Sequence, residues 1–260
     1  MKEEKEYPMV CPITPGADFT KIVDKDGKVR ICEPDHKLKR EPHTLEEISE
    51  EIKRTGSRVQ KEFEAGLEAA HAYPKSVTFF GSARFTQNHP YYKKARHLAT
   101  ELCRHGYAVI TGGGPGIMEA GNRGTNESCG SAVGFNIELP YEQVINKYVT
   151  HGVDFHYFFT RKVALTFSAE VYVYFPGGYG TLDELFEILT LVQTRKIEQI
   201  PIVLIGKDFW EPLDKFIKEQ LRDEFETISK EDVDLYTITD DLDEVLEIIK
   251  DAPMRHHHQL

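Results

Sequence analysis

From residue 76 onward, short apolar segments alternate with helical patterns, and this alternation constrains the fold more than any other feature of the chain. The apolar segments are rich in Val, Ile, Phe and Tyr, which is typical of buried strands. Strands are predicted at 76–82, 107–113, 131–139, 153–158, 170–176, 201–206 and 234–239. Helices are predicted at 90–104, 115–128, 141–148, 160–168, 182–196, 209–222 and 241–250. The pattern predicts an α/β fold with a Rossmann-like, doubly wound parallel sheet covered on both faces.

The first 75 residues follow a different pattern. Residues 1–43 are charged and proline-containing, without periodicity, and are predicted to be an extended or partly ordered arm. Thr44 and Glu47 have the spacing of a capping box, and apolar residues recur every three to four positions after them. An amphipathic helix is therefore predicted over 45–72, ending before Pro74. The predicted organisation is an N-terminal arm and helix, a Rossmann-like domain and a C-terminal tail, at 1–75, 76–250 and 251–260.

Glycine-rich stretches follow the first, second and fifth predicted strands of this domain, where the carboxyl ends of parallel strands form a ligand crevice. The stretch at 111–124 fails the dinucleotide pattern G-x-G-x-x-G, because Ile117 stands where the third glycine belongs. No Gly-Lys-Ser/Thr sequence occurs either, which excludes a P-loop. Two interpretations remain: a cradle of backbone N–H groups for an anion or a ribose, and a tight strand-to-helix turn.

The stretch PGGYGTLDE at 176–184 carries a stronger signal. Gly177, Gly178 and Gly180 leave the backbone N–H groups uncovered just before Thr181, which is predicted to open a helix. Uncovered N–H groups and the positive end of a helix dipole form a ready phosphate site. The acid Glu184 has two interpretations. It completes a capping box with Thr181, or it faces the hydroxyls and the anomeric carbon of a ribose phosphate.

A basic pair, Arg161 and Lys162, lies at the start of the helix that precedes the fifth strand. Solvated basic side chains are the ordinary interpretation of such a pair. The functional interpretation is a cation directed into the crevice opposite Glu184. Arginine is always protonated, so it would act through hydrogen bonds to a departing base or a phosphate rather than as a proton donor.

Composition excludes several classes of protein. The net charge of −11, without clustered Lys and Arg, argues against a nucleic-acid-coating surface. No apolar run is long enough to cross a bilayer and no secretory apolar region is present, so a cytoplasmic protein without a membrane partner is expected. The cysteines are too widely spaced for a zinc site and are predicted to be reduced thiols, at Cys11, Cys32, Cys103 and Cys129. The histidines at 256–258 are predicted to be a solvated tail, and neither a metal nor a cofactor is expected.

Three motifs in one order resemble the LONELY GUY (LOG) family. They are GGGPGIM at 112–118, the Arg161–Lys162 pair, and PGGYGTLDE at 176–184. The resemblance covers about residues 76–250. It implies a phosphoribohydrolase that converts a nucleoside 5′-monophosphate and water to free base and ribose 5-phosphate, acting on AMP or on cytokinin riboside monophosphates. The sequence at 135–149 is more similar to longer bacterial members than to the plant enzymes, which favours AMP or another ordinary mononucleotide.

The resemblance also implies roles for individual residues. Arg161 and Glu184 are implied to be the catalytic pair. Substrate-binding residues are implied at Ser82, Gly113, Gly114, Met118, Lys162, Gly177, Gly178, Gly180 and Thr181. Glu119, in the same glycine-rich stretch, is equally well interpreted as an acid that complements a helix dipole. Family members are usually dimers, with some higher assemblies, so a homodimer or larger homo-oligomer is expected.

Two rival functions stay open at this stage. Relatives of this fold include proteins resembling molybdenum-cofactor carriers and nucleotide sensors, which keep the phosphate-binding glycines without turnover. The presence of both Arg161 and Glu184 favours an enzyme over such a binding module. A dinucleotide-dependent oxidoreductase is the third possibility, and the broken G-x-G-x-x-G pattern counts against it. An older name for related proteins, lysine decarboxylase, has no support here, because a pyridoxal-phosphate lysine signature is not recognisable.

Overall fold

A computed structural model describes residues 45–128, 130–139 and 145–253, together with two short strands, β1 (Ile22–Val23) and β2 (Val29–Arg30). The chain forms two compact units, whose boundary falls after Arg54. In the first unit, β1 and β2 pair as antiparallel strands. The rest of the predicted arm, the Thr44 cap, most of the C-terminal tail with its histidines, and Cys11, Cys32 and Cys129 lie outside the described residues.

The described helices agree closely with the predicted ones. The long helix α1 (Leu45–His71) ends before Pro74, as the periodicity predicts. The helices that follow are α2 (Pro90–Arg104), α3 (Ile117–Glu127), α4 (Phe158–Thr166), α5 (Tyr179–Gln193), α6 (Lys207–Phe216) and α7 (Leu242–Lys250). A π-helical segment, Ile217–Glu224, continues α6, and a 3-10 turn covers Lys230–Asp234.

The helix predicted at 141–148 is wrong for residues 145–148, which form coil and turn; the residues before them lie outside the described part. The reason is local. The side-chain oxygen of Asn146 accepts a hydrogen bond from the Tyr148 amide at 3.2 Å. Such a side-chain turn competes with helical hydrogen bonding.

Seven parallel strands form the sheet of the second unit, in the order β6-β5-β4-β3-β7-β8-β9. They are β3 (Ser76–Phe80), β4 (Ala108–Thr111), β5 (Ala132–Ile137), β6 (His151–Phe155), β7 (Val171–Tyr174), β8 (Ile202–Ile205) and β9 (Thr237–Thr239). The strand order reverses between β3 and β7, so the crevice of a doubly wound sheet opens beyond their carboxyl ends. The predicted fold class is confirmed.

The central strands of the sheet are buried on both faces, as a parallel sheet with helices on each side requires. Successive residues of β7 face opposite cores. Val171 and Val173 pack with α2 and α7 on one face, whereas Tyr172 and Tyr174 pack with α5 on the other. The central strands β3, β4, β7 and β8 therefore contribute apolar side chains to both cores. None of the described helices is long and apolar enough to cross a membrane.

The helices α2 and α3 approach each other closely through Gly124. A Cβ added at this glycine would lie 2.1 Å from the Arg96 carbonyl oxygen and 2.9 Å from the Ala99 Cβ. The Thr100 hydroxyl also donates a hydrogen bond to the Gly124 carbonyl oxygen at 3.2 Å. Since α3 begins at the glycine-rich loop that follows β4, this contact fixes the helix behind that loop.

We expect Gly124→Ala to lower the free energy of unfolding by about 1–3 kcal/mol, because the new methyl group would force the α2 backbone away. The matched control is Gly56→Ala, in the exposed part of α1, where an added Cβ meets nothing within 4 Å. That variant should gain about 0.5–1 kcal/mol from the better helix propensity of alanine. Urea unfolding measures both, and equal effects at the two positions would contradict the close contact.

Candidate functional site

Three loops meet at the carboxyl edge of the sheet, after β3, β4 and β7, and backbone hydrogen bonds of Ser82 join them. The Ser82 amide donates to the Pro176 carbonyl oxygen at 3.0 Å, and its carbonyl oxygen accepts from the Ile117 amide at 3.0 Å. The predicted convergence of the glycine-rich loops is therefore present. The Ser82 hydroxyl accepts a hydrogen bond from the Arg84 amide at 3.1 Å.

The loop after β4 is held by Asn146, a residue that the sequence analysis did not select. Its side-chain nitrogen donates to the carbonyl oxygens of Gly113 and Gly114, each at 3.0 Å. Its backbone N–H also donates to the Gly113 carbonyl oxygen, at 2.8 Å. The Gly113 amide in turn donates to the Thr111 hydroxyl at 2.9 Å. The carbonyl groups of this loop are thereby turned toward Asn146. A signal was available, because asparagine is a poor residue for a helix interior and a good one for a side-chain turn.

Helix α5 begins with backbone amides that have no hydrogen-bond partner among the described residues. Gly178 is its N-cap and Leu182 is the first residue whose amide bonds within the turn, to Gly178 at 3.1 Å. In the described part of the chain, the amides of residues 177–181 donate to no protein acceptor. A Cβ added at Gly178 or Gly180 would meet nothing within 4 Å, so both positions are open to solvent. This is the arrangement that binds an anion at a helix N-terminus.

The capping-box interpretation of Thr181 and Glu184 is wrong, because the helix begins at Tyr179 rather than after Thr181. Thr181 is instead a buried residue of the first turn. Its hydroxyl oxygen lies only 2.2 Å from the position that a Cβ at residue 177 would occupy. Residue 177 can therefore be only glycine unless the loop or Thr181 moves. Glu184 lies one turn further along α5, and its side chain does not form the hydrogen bond to the Thr181 amide that a capping box requires.

The carboxyl group of Glu184 is partly buried at the crevice, and burial raises its pKa to about 7. Arg161 and Lys162 oppose this rise, and the nearby acids Asp183 and Glu187 add to it. The carbonyl oxygen of Glu184 accepts a hydrogen bond from the Tyr174 hydroxyl at 3.2 Å, which ties this turn of α5 to β7. A carboxyl group with a pKa near neutrality can exchange a proton at physiological pH.

Arg161 is buried beneath the loop after β4. Its Nε donates to the Phe135 carbonyl oxygen at 2.7 Å, and a Cβ added at Gly112 would lie 2.1 Å from its Nη2. The same added atom would lie 2.8 Å from the Met118 sulfur, so the arginine and the methionine both border Gly112. Burial lowers the pKa of Arg161, and the charge of Glu184 opposes this. Within the described residues, no carboxylate oxygen lies within 4 Å of this guanidinium.

The neighbouring Lys162 has a different environment. Its Nζ forms ion pairs with Asp183 at 2.9 Å and Glu187 at 3.4 Å, both on α5. Glu119 accepts hydrogen bonds from the Tyr92 hydroxyl at 2.7 Å and from Gln87 at 3.0 Å. The structure thus brings together Arg161, Glu184, Met118 and the glycines, whereas Lys162 is engaged with the acids of α5. Among the described residues, no group of three or more His, Cys, Asp or Glu side chains could hold a metal ion.

The position of Arg161 depends on a buried acid from α1 that sequence reasoning missed. Glu62 accepts hydrogen bonds from the amides of His156 and Tyr157, at 3.1 and 3.3 Å, and from the Thr160 hydroxyl at 2.7 Å. These donors form the N-terminus of α4, so Glu62 caps the helix that carries Arg161. Burial raises the pKa of Glu62, but these hydrogen bonds and that of Arg58 outweigh it and keep the pKa below its usual value.

Comparison with known proteins identifies the family and supports the fold. A family model described as "Possible lysine decarboxylase" matches residues 118–249, just over half of the chain. The probable cytokinin riboside 5′-monophosphate phosphoribohydrolase LOGL5 of Oryza sativa subsp. japonica is 30% identical over 139 residues, which cover 52% of this chain and 56% of that protein. LOG5 of Arabidopsis thaliana, a cytokinin riboside 5′-monophosphate phosphoribohydrolase, is 28% identical over 166 residues, 61% and 71% of the two chains.

Among solved structures, the molybdenum cofactor carrier protein of Chlamydomonas reinhardtii superposes with a TM-score of 0.51 at 22% sequence identity. The match covers 68% of this chain and 96% of that one. At this identity the likeness shows the fold alone. The chain spans little more than half of the length of the rice protein. The family match includes Arg161 and Glu184, but it begins after Ser82, Gly113 and Gly114.

The raised pKa of Glu184 predicts a pH-dependent stability. Between about pH 4.5 and pH 7 the folded protein keeps a proton that the unfolded chain releases, so this stabilisation is complete below pH 4.5 and is lost as the pH rises through 7. Glu184→Gln removes the titration. The unfolding free energy of the wild type should therefore fall relative to that of the variant by about 1–3 kcal/mol from pH 5 to pH 8 in urea unfolding. Parallel pH profiles would contradict the raised pKa.

The capping of α4 by Glu62 predicts a loss of stability in Glu62→Gln. The amide group of glutamine offers one acceptor where four donors, Arg58 among them, now meet two carboxylate oxygens, so the free energy of unfolding should fall by about 1–3 kcal/mol. Glu64→Gln, on the exposed side of the same helix, is the control and should change it by less than about 0.5 kcal/mol. Chemical denaturation of both variants at pH 7 gives the answer; an equal loss at both positions would argue against a capping role.

Proposed function

Since this chain belongs to the LOG family, whose sequence model carries the description "Possible lysine decarboxylase", we propose that it is a phosphoribohydrolase. The reaction is the hydrolysis of the N-glycosidic bond of a nucleoside 5′-monophosphate to free base and ribose 5-phosphate. The names of the curated relatives support this reaction class. The observation that carries the proposal is one juxtaposition: the carboxyl of Glu184 and the buried guanidinium of Arg161 interact beside the uncovered N-terminus of α5.

The 5′-phosphate binds at the N-terminus of α5. The amides of residues 177–181 supply the hydrogen-bond donors, and the helix dipole supplies a positive field. Gly178 and Gly180 carry no side chain that would keep a phosphate oxygen from the backbone. Binding there fixes the ribose relative to Glu184 and Arg161, which removes the entropy cost of orienting it in the reacting complex.

Glu184 acts on the sugar. As the base departs, the anomeric carbon gains positive charge, and an ionised carboxylate in a partly buried position stabilises that charge more than water does. A pKa of about 7 also allows Glu184 to hold the attacking water and accept its proton at neutral pH. Both functions need the ionised form, so activity rises with the fraction of Glu184 that is deprotonated.

Arg161 acts on the departing base. Its Nε is occupied by the Phe135 carbonyl oxygen, and the two terminal nitrogens have no carboxylate partner among the described residues. A guanidinium with uncommitted donors can hydrogen-bond the base as negative charge develops on it. It does not give up its own proton, because an arginine side chain stays protonated in proteins. The departing base therefore takes its proton from water, and Glu184 returns to solvent the proton that it accepted.

The proposed substrate is AMP or a closely related adenylate. The stretch 135–149, which favours an ordinary mononucleotide over a cytokinin nucleotide, contributes both the carbonyl that holds Arg161 and the asparagine that holds the glycine loop. Ser82, Gly113, Gly114, Met118 and Lys162 are proposed as further contacts of the nucleotide. The homo-oligomeric state and the cytoplasmic location stay predictions.

We expect Glu184→Gln and Arg161→Ala each to lower the rate of adenine release from AMP by at least about a hundredfold, the effect of losing one preorganised electrostatic partner. Chromatography of adenine and ribose 5-phosphate measures the rate, and circular dichroism checks folding. The controls are Glu101→Gln and Arg104→Ala, which alter an exposed ion pair at the C-terminal end of α2 and should keep full activity.

Two results would overturn parts of this proposal. Full activity in both site variants would remove Glu184 and Arg161 from the mechanism. A wild-type protein that releases no base, while AMP raises its melting temperature, would be a nucleotide-binding protein without turnover.

A further inference from the structure

Asn136 is the penultimate residue of β5, next to the candidate site, and takes no part in the mechanism described above. The residue before it, Phe135, supplies the carbonyl oxygen that holds Arg161. On its other side, the Asn136 Cβ lies 3.7 Å from the position of a Cβ added at Gly113. Asn136 is thus a direct neighbour of both the arginine anchor and the glycine loop after β4.

The side chain of Asn136 contains a buried acceptor without a donor. The residue is only 6% exposed, and among the described residues its Oδ1 has no hydrogen-bond partner. A buried carbonyl oxygen left in this state destabilises a protein, and such atoms are uncommon in native structures. An unsatisfied acceptor beside a ligand crevice therefore indicates a donor that arrives with the ligand.

The orientation of this amide is fixed by its neighbour on β6. The Nδ2 of Asn136 donates to the Asp154 carboxylate at 3.0 Å, and a carboxylate can only accept, so the nitrogen must face Asp154. The two arms of the amide diverge, and β5 lies between β6 and β4 in the sheet. With the nitrogen turned toward β6, the oxygen is turned toward the β4 side, where the glycine loop begins.

We propose that Asn136 is a specificity-determining residue whose Oδ1 accepts a hydrogen bond from the exocyclic amino group of the substrate base. This inference rests on the proposed function and adds to it a residue that selects the base. The proposed phosphate site follows β7, and Asn136 lies near the carboxyl end of β5, which is three strands away, about 14 Å across the sheet. A mononucleotide extended along the crevice spans this interval, with its sugar near Arg161 and Glu184.

A fixed acceptor at this position discriminates between bases according to whether the group that faces it is a hydrogen-bond donor or an acceptor. The 6-amino group of adenine is a donor and satisfies Oδ1, whereas the 6-oxo group of hypoxanthine is an acceptor and leaves two oxygens facing each other. Sites that hydrogen-bond one substrate reject an analogue that cannot complete the bond, because the buried group is then unpaired. The proposal therefore predicts preference for AMP over IMP.

The test compares kcat/KM for AMP and IMP in the full-length protein. We expect the wild type to favour AMP by at least about tenfold, and Asn136→Ala to reduce that ratio by at least about tenfold. The second variant, Asp154→Ala, changes an exposed residue and keeps the asparagine. It frees the amide to rotate and should also lower the ratio. Asn126→Ala, an exposed asparagine of α3, is the control and should leave the ratio unchanged.

The readout is a ratio, so a general loss of stability or activity does not mimic the expected result. If base is released but the AMP to IMP ratio is the same in the wild type and both site variants, the inference is wrong and the proposed function stands. If no base is released from either nucleotide, the proposed function fails. Calorimetry then measures the affinities of the same variants for AMP and IMP. A ratio of AMP to IMP affinity that falls in the variants supports the role of Asn136, and an unchanged ratio overturns it. Absence of binding to either nucleotide would overturn both.

Discussion

The burial of the Arg161 guanidinium is the constraint on which the candidate site depends. A buried cation needs compensating dipoles or charges, and here a single carbonyl oxygen, that of Phe135, is bonded to Nε while Glu184 supplies the opposing charge. Glycine at position 112 leaves the space that the guanidinium occupies. The burial also explains why α4 must be held firmly, since a small rotation of that helix would break the contact with β5.

Glu184 and Arg161 are coupled without forming a direct ion pair among the described contacts. Each favours the charged form of the other, yet the pKa of Glu184 stays at about 7, because burial outweighs the attraction of the arginine. A closer pair would hold the carboxylate permanently ionised and occupy the guanidinium. Separation keeps the acid titratable and the terminal nitrogens uncommitted, which is the state that a catalytic pair requires.

Local sequence patterns predicted the strands and the loops but not the contacts between distant elements. Short segments rich in Val, Ile, Phe and Tyr located the strands of the parallel sheet, and the signal was clearest for the central strands, which are buried on both faces. The helix predicted at 141–148, which is contradicted over its described residues 145–148, and the cap predicted at Thr181 were wrong for one reason. Periodicity and residue spacing do not show where a side chain forms a hydrogen bond with the backbone. Asn146 forms a turn, and Gly178 rather than Thr181 precedes the first helical residue.

Glu62 and Asn136 show why the rest of the site could not be read from motifs. Glu62 lies 98 residues before its partner Thr160, on a helix whose periodicity marks it only as one acid among many. Asn136 lies in an apolar strand, and Asp154 on the adjacent strand orients its amide, whose oxygen has no hydrogen-bond partner among the described residues. Both roles arise from strand order and helix packing. The motifs mark where chemistry can occur, and the sheet determines which non-motif side chains surround it.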